Sequence, residues 1–196
     1  MQTMTNEEII WDFLYKRLKN PYGTAGLMGN LFAESSLNPT LANGVKKKTG
    51  MTNAEYTAAV DKGTYTTFTK DSIAYGLAQW CYAARKEKLY AKIKSLAVSV
   101  GDINGQLEYL WEELQGYKTV ISTLYSAKTI REASDIVLTR YEKPANQSEG
   151  VKQMRARYGQ NYYDKYYKEP VKDTVQFQLK TETAKKLFKY MEKINK

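Results

Sequence analysis

Gly29-Asn30-Leu31-Phe32-Ala33-Glu34-Ser35-Ser36-Leu37-Asn38-Pro39 is the stretch from which the fold is read. Leu27, Met28, Leu31 and Phe32 recur at helical spacing and lead to a single carboxylate, Glu34. Ser35, Ser36, Asn38 and Pro39 then stop the helix. A helix C-terminus carries the negative pole of the dipole, and an apolar wall desolvates a charge, so both disfavour an ionised glutamate there. Such a carboxyl is suited to general-acid work. Gly26 and Gly29 lie one turn apart and lower helix propensity, which predicts close approach of another backbone. This helix, capped by Thr24, is expected to run buried through the middle of the domain.

Upstream, Thr5-Asn6-Glu7-Glu8 forms a capping box for a helix over 6–19 that ends before Pro21. Downstream, 40–63 is polar, and Thr52-Asn53-Ala54-Glu55 opens a short helix to about Val60. The β-branched and aromatic runs Thr64–Thr69 and Ile73–Trp80, on either side of Asp71-Ser72, predict a small β-hairpin. Helices are predicted over 83–98, from Asp102 to Gly116, and over 119–126. Two more follow, from the capping box Thr129–Glu132 up to Pro144, and from Ser148 along Val151, Met154, Tyr158 and Tyr162. The fold class is therefore α+β, predominantly helical, over residues 1–168. Residues 169–196 turn to Lys, Thr and Gln, and Leu187, Phe188, Met191 and Ile194 predict a basic amphipathic helix or linker.

Two absences narrow the chemistry. The 196 residues include no His and one Cys, Cys81, so zinc sites built on His or several Cys, Ser-His and Cys-His nucleophile pairs, and internal disulfides are excluded. Acid-base work falls to Asp, Glu, Tyr or Lys, and neither metal nor cofactor is expected. The formal charge of +9 calls for an anionic partner: nucleic acid, a membrane surface or a cell-wall polymer. The basic residues are dispersed and no nucleic-acid-binding signature accompanies them, so nucleic acid is not expected. No apolar run approaches the roughly 18–20 residues that span a bilayer. The N-terminus lacks a basic patch followed by an apolar core, so a soluble chain without a signal peptide or stable membrane insertion is expected.

A helix ending in Glu34-Ser35-Ser36-Leu37-Asn38-Pro39, together with the strand Ala74-Tyr75-Gly76-Leu77-Ala78-Gln79-Trp80, resembles the lysozyme superfamily, including goose-type lysozymes and lytic transglycosylases. Met51–Phe68, Tyr75–Lys86, Gln106–Leu114 and Glu132–Pro144 look like the phage tail-tip lysozyme domain of prophage tail proteins and endolysins, over residues 5–168. The resemblance implies a lysozyme-like fold, with a small hairpin beside a buried central helix. It implies cleavage of bacterial peptidoglycan glycan strands, between MurNAc and GlcNAc, by a muramidase or lytic transglycosylase. An N-acetylglucosaminidase of the same fold, or a non-catalytic wall-binding or phage-tail module, is the alternative.

Glu34 is then the acid that protonates the glycosidic oxygen as an oxocarbenium-like state forms. The competing role is a helix-terminal Glu that caps a turn or pairs with Lys or Arg. Where related lysozymes carry a second carboxylate before the Tyr-Gly pair, this chain has Ala74; the nearest acids are Asp71 and Asp61. That departure disfavours a retaining mechanism and favours a distant base or attack by the sugar's own hydroxyl. Asp71 is a base or a turn residue. Tyr141 resembles the tyrosine near the catalytic Glu of transglycosylases, or is a core residue. Gly76 admits a sugar ring or marks a bulge, Gln79 is placed to hydrogen-bond substrate, and Tyr75 and Trp80 flank the cleft or join the core. Asn30 lies one turn before Glu34. The expected partners are peptidoglycan and anionic wall polymers. The enzyme would act at the bacterial wall, arriving on a phage tail or from the host cytoplasm through a holin.

Overall fold

A computed structural model describes residues 3–168 together with Glu182 and Lys185; the terminal helix expected around Leu187, Phe188, Met191 and Ile194 lies outside the described residues. Along the chain run α1 (Asn6–Leu18), α2 (Pro21–Ser35), β1 (Ala42–Asn43), α3 (Val45–Thr49), α4 (Asn53–Asp61) and β2 (Ala74–Tyr75). There follow α5 (Ala83–Leu96), α6 (Ile103–Gln115), α7 (Lys118–Ser126), α8 (Ile130–Val137), a π-helical turn (Leu138–Glu142) and α9 (Glu149–Tyr166).

α2 is the axis of this arrangement, as its sequence requires. Gly23 to Leu31 are all buried, and α1, α7, α8 and α9 pack around the helix. A Cβ on Gly26 would lie 2.7 Å from the Ser134 backbone nitrogen of α8, and one on Gly29 would lie 2.3 Å from the Arg155 carbonyl oxygen of α9. The two glycines let α8 and α9 approach at backbone distance. Residues expected as core partners fill the remaining space, among them Leu14, Leu27, Met28, Leu31, Leu107, Leu110 and Val137, all fully buried.

Several boundaries differ from expectation for identifiable reasons. α2 begins at Pro21, because Asn20 caps it: its Oδ1 accepts from the backbone N–H groups of Tyr22 and Gly23 at 2.9 and 3.1 Å. Pro at the first helical position needs no N–H partner. Thr24 sits inside the helix and donates to the Asn20 carbonyl. The hairpin pairs differently from the sequence expectation. Thr64–Thr69 forms no strand; β2 pairs antiparallel with β1, Ala42 opposite Tyr75 and Asn43 opposite Ala74. β-Branched content alone does not supply a partner strand with free ladder groups. Tyr75 and Trp80 also bridge to each other, closing the loop Gly76-Leu77-Ala78-Gln79.

The Lys46-Lys47-Lys48 run falls within α3, a helix not anticipated in this polar segment. Thr129 caps α8 through the Glu132 N–H, while the Glu132 carboxylate turns to the Lys128 N–H, so the reciprocal half of the expected box is missing. On α9 the buried residues are Arg155, Gly159 and Tyr162, whereas Met154 is 41% exposed. The apolar stripe through Val151 and Met154 is not the packing face; close contact with α2 selects Gly159 instead, and brings Arg155 inward with it.

Candidate active site

Glu34 is the penultimate residue of α2, and the backbone beyond it is tightly held. Ser36 and Leu37 both adopt left-handed conformations, φ 52° and 59°, which non-glycine residues visit only at a cost of about 1–2 kcal/mol each. Three anchors hold this bend. The Ser36 N–H donates to the Phe32 carbonyl at 2.8 Å. Asn6 Nδ2 donates to the Leu37 carbonyl at 3.0 Å. Ser35 Oγ donates to the Leu77 carbonyl at 2.9 Å. Gln106, fully buried on α6, accepts from the Leu77 N–H at 2.9 Å and donates to the Pro39 carbonyl at 2.7 Å. The exit from α2 and the Tyr75–Trp80 loop are thus fixed to each other. Gly76 in that loop has φ 76°, and an added Cβ would lie 2.5 Å from Gln106 Oε1, so the position requires glycine.

The Glu34 side chain keeps one face open. Its Oε1 lies 2.6 Å from Arg155 Nη2, with side-chain exposures of 20% for Glu34 and 7% for Arg155. Asn30 aims the arginine: its Oδ1 accepts from Arg155 Nη1 at 3.1 Å, while its Nδ2 donates to Gly26 and Ser134. Arg155 Nε is buried and unpartnered.

A second carboxylate feels the charges of this ion pair. Glu142 ends the π-helical turn, a winding often found at functional positions, and its Oε1 is sealed from solvent without a hydrogen-bond partner. Burial pushes its carboxyl up to about 8; the negative charge of Glu34 adds to this, while Arg85 and Arg155 oppose it. Burial and the negative charge of Glu34 therefore both favour the neutral form of Glu142.

Beyond Glu142 lies Glu113 on α6, whose oxygens are fully engaged. Trp80 Nε1 donates at 2.9 Å, Arg85 at 2.6 and 2.8 Å, the Tyr109 hydroxyl at 3.0 Å and the Tyr141 hydroxyl at 2.5 Å. Burial works against its charge, yet Arg85 and the Tyr141 and Trp80 donors hold the carboxyl below the usual range. Arg85 also stacks over the Tyr141 ring at 4.9 Å. A cleft of about 710 Å³ between α5 and α6 has Arg85, Tyr109, Glu113 and Tyr117 in its wall. Glu34 is not part of that wall; the Glu113–Tyr141 bond connects the cleft to the turn that bears Glu142.

The residues expected at the site therefore divide. Asn30 joins Glu34 through Arg155, and Trp80 joins Tyr141 through Glu113. Tyr75 is fully buried, its hydroxyl 2.8 Å from Thr57 Oγ1. Gln79 Nε2 donates to the Leu41 and Gly76 carbonyls, and its Oε1 is buried without a partner. Asp71 belongs to a separate group. Its carboxylate meets Lys86 Nζ and the Tyr56 hydroxyl, each at 2.6 Å, and accepts from the Ile73 N–H at 2.9 Å. Asp61 is bound by Ser99 Oγ at 2.6 Å and by the Val100 N–H at 2.7 Å. Among the described residues no three or more Asp, Glu or Cys side chains gather to hold a metal ion.

A family model described as phage tail lysozyme matches residues 5–166. The chain belongs to the phage tail lysozyme family. Membership gives the domain a peptidoglycan-lytic role, with the bacterial cell wall as its substrate. No curated protein matches the chain. No helix of this phage tail lysozyme domain, among the described residues, is long and apolar enough to cross a membrane.

Arg155, Glu142, Glu113 and Arg85 escaped the sequence reading. Periodicity of apolar residues is blind to a buried arginine whose partner lies on another helix. The available signal was the spacing Arg155–Gly159–Tyr162, which puts arginine on the same face as the one glycine within that helix's later turns. For Glu142, the hint was a lone acid at the end of a strongly amphipathic helix just before Pro144.

Proposed function

We propose that this domain cuts the β-1,4 bond between MurNAc and GlcNAc with Glu34 as its single general acid, and that it works as a lytic transglycosylase. What supports the choice is that Asp71 and Glu113 have their oxygens occupied and that burial favours the neutral form of Glu142. Asp71 is taken by Lys86, Tyr56 and Ile73, and Glu113 by Trp80, Arg85, Tyr109 and Tyr141. With Ala74 in place of a hairpin acid, neither is free to activate water. The nucleophile is then the sugar's own hydroxyl. Glu34 gives its proton to the glycosidic oxygen as the C1–O bond breaks; the C6 hydroxyl of the same MurNAc attacks C1 and returns its proton to Glu34. Atoms balance without water, and Glu34 ends protonated for the next turnover.

In this proposal Asn30 positions Arg155, and the Gly76–Gln79 loop with Tyr75 and Trp80, all buried, acts from the core as the rigid support of the exit from α2 rather than as a sugar-contacting wall. Tyr141 holds Glu113 beside the turn that bears Glu142, and Asp71 is the counter-ion of Lys86. The formal charge of +9 favours anionic wall polymers as an additional contact, and delivery on a phage tail is the route to the wall. Mass spectrometry of digested walls tests the chemistry: 1,6-anhydro-MurNAc ends are expected. Reducing MurNAc ends identify a muramidase and reducing GlcNAc ends a glucosaminidase, and either result overturns the transglycosylase assignment.

A further inference from the structure

Arg17, Arg85, Arg131 and Arg155 each hold a carboxylate, and so do Lys86, Lys92 and Lys165. Lys118, Arg140 and Lys143 are different. Among the described residues none of these side chains has an ion pair or a hydrogen bond, yet all three line one recess of about 510 Å³. Tyr117 and Thr119 form part of the same wall, and the lining contains no aspartate or glutamate.

The chain brings these cations together from two elements. Lys118 is the first residue of α7, Arg140 lies in the π-helical turn and Lys143 ends that turn. Lys143 takes a left-handed conformation, φ 51°, with its N–H donating to the Leu138 carbonyl at 2.9 Å. Like charges around one opening repel one another, and no carboxylate in the lining relieves the repulsion. An anion from outside would. Arginine offers a fork of N–H donors that matches phosphate oxygens, and lysines beside it add point charge. The recess also adjoins the larger cleft between α5 and α6, since Gly116 and Tyr117 stand in the wall of both. The two differ in charge. In the larger cleft Arg85 and Lys92 are offset by Glu113 and Glu112, whereas the charged residues of the recess are all cations.

We propose that the recess of Lys118, Arg140 and Lys143 binds a phosphodiester polymer of the bacterial wall and so holds the domain on its substrate. A phosphodiester chain carries a negative charge on every repeat, so neighbouring repeats can meet several cations at once. A carboxylate of a peptide stem meets them singly. The proposal rests on the wall-lytic role of the domain, but not on which group cuts the glycan.

Lys118→Gln, Arg140→Gln and Lys143→Gln are combined in one variant. A control combines Lys46→Gln, Lys47→Gln and Lys62→Gln, exposed cations elsewhere, and loses the same charge. Sedimentation is measured with purified walls that carry phosphodiester polymers, before and after hydrofluoric acid strips these off. At low ionic strength the parent should bind intact walls roughly tenfold or more tightly than stripped ones. The recess variant should lose that difference, and the control should keep it. Equal binding of the parent to both walls, parental binding by the recess variant, or an equal loss in the control overturns the proposal. A second measurement needs no wall: soluble poly(glycerol phosphate) should raise the thermal unfolding midpoint of the parent and the control but not of the recess variant. A rise in the recess variant equal to the parent's overturns it as well. On stripped walls the recess variant should release muropeptides at the parental rate; a loss there would move these cations into the catalytic site. If the parent releases nothing from either wall, the lytic reading fails instead, and the binding result stands separately.

Discussion

Among the buried carboxylate–cation pairs of the described residues, two are finished to different degrees. Asp71 and Lys86 form the closed one. Lys86 is fully buried and Asp71 7% exposed at the side chain, and Tyr56 and the Ile73 backbone supply the remaining partners. Burial depresses the Lys86 ammonium, and Asp71 opposes that shift. Glu34 and Arg155 form the open one: Glu34 keeps a solvent face and Arg155 Nε has no partner. The contrast shows that burial and ion pairing alone do not mark a reactive group. A carboxylate whose lone pairs are all taken is a structural part, whereas one that keeps a solvent face can still exchange a proton.

The largest expected effect breaks the closed pair. Lys86→Met leaves Asp71 buried without its cation and should cost about 3–5 kcal/mol in denaturant unfolding, with turnover per folded molecule unchanged. Equal stability with lost turnover would move Asp71 from structure to chemistry.

A smaller effect distinguishes the pairs by pH. The Glu142 carboxyl is raised from 4.5 to about 8 in the folded state, so between those values the folded protein binds a proton that the unfolded chain has lost. Stability therefore falls as pH rises through this window, and below about pH 4 the term disappears. Glu142→Gln should be more stable than the parent near pH 8–9, on the order of 1–3 kcal/mol, with the gap closing toward acidic pH. A gap that widens in acid contradicts a buried neutral Glu142.

The smallest trims the closed pair without opening it. Tyr56→Phe removes one hydroxyl donor to Asp71 and should cost about 1–2 kcal/mol in thermal or urea unfolding, leaving wall lysis intact.

The difference between the pairs also explains what could be seen in the sequence. α2 was legible almost completely, because Gly26, Gly29 and the apolar run Leu27–Phe32 all report the same thing: a helix with neighbours at backbone distance. Glu34 was legible because it interrupts that run. The segment Ile73–Trp80 was expected as extended chain, but only Ala74–Tyr75 is strand and Gly76–Gln79 turns back to bridge Tyr75 with Trp80; the partner Ala42–Asn43 was not legible, since two residues of pairing leave no periodic trace. Asp71 stood out only as the nearest acid upstream of Ala74 and the Tyr-Gly pair, and its three partners come from α4, α5 and the backbone, which no local pattern encodes. Arg155 and Glu142 were hidden for the same reason. Arg155 acquires its meaning only when α9 closes on the end of α2, and Glu142 only when the fold buries it, far along the chain from Glu34.

The most direct test of the account compares Glu34→Gln with the parent in muropeptide release from purified walls, with unfolding followed in parallel. Glutamine keeps an oxygen for Arg155, and Asn30 Oδ1 still accepts from its Nη1, so the domain should remain folded. Release should fall by about 10²–10⁴-fold, the usual contribution of a positioned general acid. Release at the parental rate by a folded Glu34→Gln domain would contradict the claim that Glu34 donates the proton.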